Sequence, residues 1–108
     1  MAHTGTIVIS TYAIIGENCR IHASVNIGTA AGTQGQAPNI GNNVYIGPGA
    51  KIYGPITVAD GVAIGANAVV NKDCLEENAT LVGVPAKIIN YKGSEGFLIK
   101  GSEIALNK

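Results

Sequence analysis

Aliphatic side chains recur at every sixth position of this chain: Ile9, Ile15, Ile21 and Ile27, then Ile40, Ile46, Ile52, Val58, Ile64 and Val70. With each of these as the first place of a six-residue unit, the fifth place holds Ala13, Cys19, Val25, Val44, Ala50, Ile56, Val62, Ala68 and Cys74. An α-helix cannot use that beat, because six steps of about 100° carry successive apolar residues onto different faces. One long strand fails too. The third place, which would share the apolar side, holds Thr11, Glu17, Asn42, Pro48, Asp60 and Lys72.

Short strands resolve the conflict. The fifth place and the next first place are two residues apart and point to one side of a strand, as in Ala13-Ile14-Ile15, Val44-Tyr45-Ile46 and Ile56-Thr57-Val58. Between them lie Gly16-Glu17-Asn18, Gly41-Asn42-Asn43, Gly47-Pro48-Gly49 and Gly65-Ala66-Asn67, residue types that accept positive φ or preset a turn. A chain that bends every six residues with one side apolar is a prism, and its stacked coils supply one another's hydrogen bonds. The predicted fold is an all-β, single-stranded parallel β-helix of hexapeptides. Composition agrees: 15 Ile and 9 Val stand against 4 Leu, beside 15 Gly and 10 Asn, a mix for strands and corners rather than packed helices.

The register slips once. Ile27 and Ile40 are thirteen residues apart where twelve would keep phase, so glycine-rich residues 28–39 are expected to leave the coil as a loop. The beat weakens at Glu76, resumes at Val82 and Ile88, and stops. Residues 1–71 carry four charges and residues 72–108 carry ten, which divides the chain into a coil over 1–91 and a C-terminal cap or tail over 92–108. A cap of this kind keeps a solenoid from offering an open edge.

Charge and hydropathy exclude several classes of function. Lys and Arg number 7 against 7 Asp and Glu, so no basic patch speaks for nucleic acid or an anionic membrane. No apolar run approaches the roughly 20 residues of a membrane-spanning helix. The start, MAHTGTIVIS, lacks the basic region of a secretory signal, and a cytoplasmic location is expected. Cys19 and Cys74 occupy inward fifth places 55 residues apart, about three coils and roughly 15 Å, beyond disulfide reach; buried free thiols are expected. Outward positions mix Ile14, Tyr45, Ala63 and Val69 with Arg20, Asn26, Lys51 and Thr57. Such walls invite self-association, and threefold packing suits a triangular prism.

Taken together, HTGTIVISTYAIIGENCRIHASVNIG, NNVYIGPGAKIYGPITVADGVAIGANAVVNKD and GVPAKI resemble the serine acetyltransferase family and its relatives that O-acetylate polysaccharides. The resemblance covers about residues 2–91. It implies a left-handed coil, a homotrimer, and acetyl-CoA as co-substrate in a groove between subunits. It also implies that His3 is the general base, since a hydroxyl must lose its proton while attacking the thioester and imidazole suits that task near neutral pH. Gly47, Gly49 and Ala50 would leave backbone groups open beside the pantetheine arm, with Gly65 and Ala66 doing the same one coil later. Lys72 and Lys87 would meet phosphates. His22, the only other imidazole, opens the corner His22-Ala23-Ser24 and reads as a solvated turn residue.

Two departures shape the expected activity. Serine-specific members carry an Arg-His pair before the loop proline; here Gln36 and Ala37 precede Pro38, and neither offers a cation or an imidazole. A hydroxyl of a sugar or another small molecule is therefore the expected acceptor. Relatives also have further coils before the histidine, including a carboxylate that orients it, whereas no Asp or Glu precedes His3. An unoriented histidine loses tautomer control, so the chain is expected to be a fragment or shortened paralogue of impaired activity. The competing reading is a non-catalytic β-helical trimer used as scaffold. A zinc anhydrase on such a coil would need three converging histidines, and the chain has two. No metal is expected. Ice binding lacks its regular threonine array.

Overall fold

The computed structural model describes residues 7–29 and 36–95. Among them every regular element is a strand: β1 (Val8–Ile9), β2 (Ile14–Ile15), β3 (Arg20–Ile21), β4 (Asn26–Gly28), β5 (Asn39–Ile40), β6 (Tyr45–Ile46), β7 (Lys51–Tyr53), β8 (Thr57–Val58), β9 (Ala63–Ile64), β10 (Val69–Val70), β11 (Thr80–Val82) and β12 (Lys87–Asn90). They form three walls. The first joins β1, β4, β7 and β10; the second joins β2, β5 and β8; the third joins β3, β6, β9, β11 and β12.

Every pairing between coils is parallel, and it stacks the first places in columns. Ile9 faces Ile27, Ile52 and Val70 in succession; Ile15 faces Ile40 and Val58; Ile21 faces Ile46 and Ile64. The tube interior is thus aliphatic, with Ile27, Ile46, Ile52 and Ile64 wholly buried. Each such burial stabilises by about 1.5–3 kcal/mol before conformational entropy is subtracted. The fourth place of the units makes the bend, in the left-handed region: Asn18, Ser24, Asn43, Asn67 and Asn78 have φ between 58° and 65°. Asparagine suits that place because its short polar side chain tolerates a conformation that costs other residues about 1–2 kcal/mol.

The predicted loop leaves the first-to-second-wall corner after β4 and returns at buried Pro38, whose carbonyl accepts from the Ile14 N–H at 3.0 Å. Residues 30–35 of it lie outside the described set.

The last coil departs from the beat. Six-residue counting places Glu76 over Val58 and Val82 over Ile64. Instead Cys74 bridges to Val58 and Leu81 pairs with Ile64. The reason is solvation: a glutamate at an inward place would bury an unpaired carboxylate, which is far costlier than shortening a corner. Cys74 takes the wall position, and the Asp73 carboxylate accepts from the Thr57 N–H at 2.9 Å. Ile88 does not extend the parallel coil either. After Gly83–Ala86, which contains a cis Val84–Pro85 bond, β12 returns antiparallel along β11 with Ile88 opposite Leu81. The cap therefore begins at Lys87, inside the segment expected to be coil. Beyond it the chain doubles back over the outside of the prism. The Gly93 N–H donates to the Thr80 hydroxyl at 3.0 Å, the Ser94 N–H to the Gly61 carbonyl at 2.8 Å, and the Ser94 hydroxyl to the Asn43 carbonyl. This strap crosses three coils. Residues 96–108, the rest of the expected tail, lie outside the described set.

Candidate functional site

The corners between the second and third walls are saturated with hydrogen bonds. The Asn42 side-chain oxygen accepts from the Glu17 N–H at 2.8 Å, and the Asp60 carboxylate accepts from the Asn42 N–H at 2.7 Å. The Asn18 amide donates to that of Asn43 at 2.7 Å. A Cβ at Gly41 would stand 2.9 Å from the Asp60 nitrogen, so this column is closed to bulk as well as to further bonding. The strap covers its upper part.

The corners between the third and first walls carry fewer side-chain bonds; among them the Lys51 ammonium donates to the Ser24 and Gly49 carbonyls at 3.0 and 2.9 Å. They stack His22-Ala23-Ser24, Gly47-Pro48-Gly49 and Gly65-Ala66-Asn67, under the Gly83–Ala86 turn, which is tied to Val69 in both directions at 2.8 and 3.0 Å. Gly47 is required by stacking: a Cβ there would lie 2.8 Å from the Ala66 nitrogen. Beside this column runs a mostly apolar groove of about 390 Å³, walled by Tyr45, Pro48, Ala63, Ala66, Val82 and Ile89.

The structure separates the residues expected to hold the cofactor. Gly65 and Ala66 line the groove, with Gly47 and Gly49 in the same column. Ala50 does not: it is fully buried inside the tube, because a fifth place points inward. Nor are the amides of the first three open. Gly47 donates to Ile64 at 2.8 Å, Gly49 to Ala23 at 3.0 Å and Ala50 to Gly47 at 3.3 Å, while Gly65 donates to Leu81 at 2.8 Å. Coil stacking consumes three of them, and the turn of its own corner takes that of Ala50. Ala66 is the exception, an exposed residue whose N–H has no partner among the described residues. Lys72 and Lys87 meet elsewhere, on the rim of a depression of about 340 Å³ at the end of the coil, over Val70, Cys74, Leu81 and Ile88. His3 lies outside the described residues.

His22 is half-buried, and its ring stands edge-on to that of Tyr45, with centroids 5.2 Å apart and planes at 64°. Its backbone N–H donates to the Ile46 carbonyl at 3.1 Å. Sequence reasoning treated it as a turn residue because its contact with Tyr45 in the next coil cannot be seen in a hexapeptide count. Val82 and Ile89 were missed for the same reason, since only the antiparallel return of β12 brings them to the groove.

Both cysteines are free. Cys74 is buried as expected, but Cys19 is only half-buried and donates to the Gly41 carbonyl at 3.2 Å. Desolvation pushes both thiols above their ordinary range, which leaves them protonated and poorly nucleophilic near neutral pH. Tyr91 is also pushed up, chiefly by the charge of Glu76, whose carboxylate its hydroxyl meets at 3.3 Å. No group of three or more His, Cys, Asp or Glu suited to a metal occurs among the described residues. No helix long and apolar enough to cross a membrane occurs among them.

Comparison with known proteins follows this geometry closely. Residues 37–72 match the family model of the bacterial transferase hexapeptide (six repeats). The chain is 37% identical over 92 residues to a serine acetyltransferase of Synechococcus elongatus, covering 84% of this chain and 37% of that one. To a serine acetyltransferase of Helicobacter pylori it is 42% identical over 88 residues, covering 81% of this chain and 51% of the other. The crystal structure of a Brucella abortus serine acetyltransferase in complex with coenzyme A superposes with a TM-score of 0.75 at 37% identity, over 80% of this chain and 34% of that one. The match thus spans between about a third and a half of each of these relatives. The fold is that of these neighbours, a left-handed parallel β-helix.

Proposed function

This chain carries a hexapeptide-repeat transferase domain of the kind found in the serine acetyltransferases, and from that premise we propose that it transfers an acetyl group from acetyl-CoA to a hydroxyl. The observation that carries the reading is the uncapped corner at Ala66. It leaves the Ala66 N–H and an apolar groove free in a stretch similar to a transferase crystallised with coenzyme A.

In this reading the pantetheine arm lies along the groove, where Ala66 donates to one of its amides and Tyr45, Pro48 and Ile89 exclude water. Lys72 and Lys87, at the end of the coil, face the phosphates. His3 accepts the proton of the acceptor hydroxyl as its oxygen attacks the thioester carbonyl. The tetrahedral intermediate then collapses, the C–S bond breaks, and the same imidazole returns the proton to the leaving thiolate. Backbone donors close to the carbonyl stabilise the oxyanion. The acceptor is a sugar or another small hydroxyl compound rather than serine, because exposed Gln36 and half-buried Ala37 supply no cation for a carboxylate. A homotrimer with the groove at the subunit boundary completes the site, and Ile14 and Tyr12, each 62% exposed, are apolar surface for such contacts.

Titration calorimetry with acetyl-CoA, followed by thiol-release assays against a panel of sugars and L-serine, tests the reading. The expected result is saturable binding and sugar-dependent thiol release that His3→Ala abolishes while leaving binding intact. Absence of acetyl-CoA binding by a folded trimer would favour the scaffold reading.

A further inference from the structure

Below the groove the same edge of the prism continues for one more corner. Wall pairing places Ile21, Ile46 and Ile64 in one column, so the residues that follow them, His22, Gly47 and Gly65, begin three successive corners along one edge of the prism. Along that edge the hydrogen-bond donors are sparse. In the third of these corners Ala66 offers a free N–H. In the second the equivalent residue is Pro48, which has no N–H to offer. In the first, Ala23 accepts from Gly49 through its carbonyl, the Lys51 ammonium is taken up by the Ser24 and Gly49 carbonyls at 3.0 and 2.9 Å, and the imidazole of His22 stands beside them. Tyr45, which walls the groove one coil above, holds that imidazole edge-on.

The geometry points to His22 as a second substrate-binding residue: we infer that its ring N–H is donated to the acyl-thioester end of an acyl-pantetheine arm whose distal amide is held by Ala66. The inference rests on the acetyl-CoA reading above and deepens it. Two coils at roughly 4.8 Å each separate the two donors by about 10 Å. The β-alanine and cysteamine portion of the arm, extended, spans about the same distance at ordinary bond lengths. Pro48 lies between them, where the arm needs apolar contact more than a donor. Tyr45 supplies orientation, since an imidazole held at one edge loses less freedom when it binds. His22 touches the thioester end in this scheme, and Tyr45 both walls the groove and orients the imidazole.

Calorimetry on the intact chain separates this role from a structural one. The probes are acetyl-CoA and 3′-phospho-ADP, which lacks the whole arm. His22→Ala is expected to weaken acetyl-CoA about five- to tenfold and to leave 3′-phospho-ADP unchanged. His22→Gln, which keeps a side-chain N–H, should restore most of that loss. Tyr45→Leu removes both the ring edge and part of the groove wall, and should weaken acetyl-CoA at least as much as His22→Ala. Equal affinity of His22→Ala and wild type for acetyl-CoA, with circular dichroism unchanged, overturns the inference and leaves the acetyl-CoA reading standing. Parallel weakening of both probes also overturns it, as the mark of a purely structural histidine. Wild-type protein that binds 3′-phospho-ADP but not acetyl-CoA any more tightly overturns both readings.

Discussion

Two edges of the same prism obey the same six-residue rule and end up with opposite properties. At the edge between the second and third walls, Asn42 and Asp60 cap the backbone amides of neighbouring corners, and the strap through Gly93 and Ser94 lies over the stack. At the edge between the third and first walls the corners are Gly47-Pro48-Gly49 and Gly65-Ala66-Asn67, where the Lys51 ammonium takes the Ser24 and Gly49 carbonyls but no side chain among the described residues caps the Ala66 N–H. The lesson is that a solenoid needs a bend at each corner but not a bonded side chain. Where polar side chains are spent on the stack the edge is structural, and where they are withheld a ligand can take their place.

The largest effect should come from the interior both edges share. Ile64→Ala removes a wholly buried side chain from the middle of the tube and is expected to cost about 2–5 kcal/mol, measured as a lowered urea midpoint, with acetyl-CoA binding lost in parallel. The next variant attacks the strap over the closed edge. Gly93 has φ of 62°, and a Cβ there would come within 2.7 Å of the Asn78 Cα, so Gly93→Ala should cost about 1–3 kcal/mol and speed amide exchange at Ser94. Smaller again, Asn42→Ala strands the Glu17 N–H and should cost about 1 kcal/mol. Its counterpart at the open edge, Ala66→Ser, should stay within about 0.5 kcal/mol. If the two were equally costly by urea titration, the contrast between the edges would be wrong. The smallest effect is kinetic: a thiol reagent at pH 8 should modify Cys19 and Cys74 more slowly in native protein than in urea, because desolvation holds both thiols protonated. The gap should narrow as the pH rises through their elevated titration range.

Much of the coil was legible because it is a local code. Ile46 and Ile64 could be assigned to the interior, and Asn18, Asn43 and Asn67 to corners, from spacing and residue type alone. The pattern failed where solvation outranked period. Counting six from Val70 puts Glu76 in the wall, but the tube admits Cys74 and turns the carboxylate out. The candidate site was legible only in part. Glycine at Gly47 and Gly65 was read as room for a ligand, whereas the immediate demand on both is the coil above, which would collide with any Cβ. Open amides cannot be distinguished from consumed ones until the stacking partner of each corner is known.

The architecture was thus determined by the chain itself, because an inward residue two places from the next and a bend every sixth place leave a three-walled tube as the economical way to remove aliphatic carbon from water. Tertiary structure alone decided which edge stays open. That choice depends on a hairpin at β11 and β12, on a strap that returns across three coils, and on hydrogen bonds between residues as far apart as Ser94 and Asn43. Interactions over that separation have no period, and only the folded chain brings their partners together.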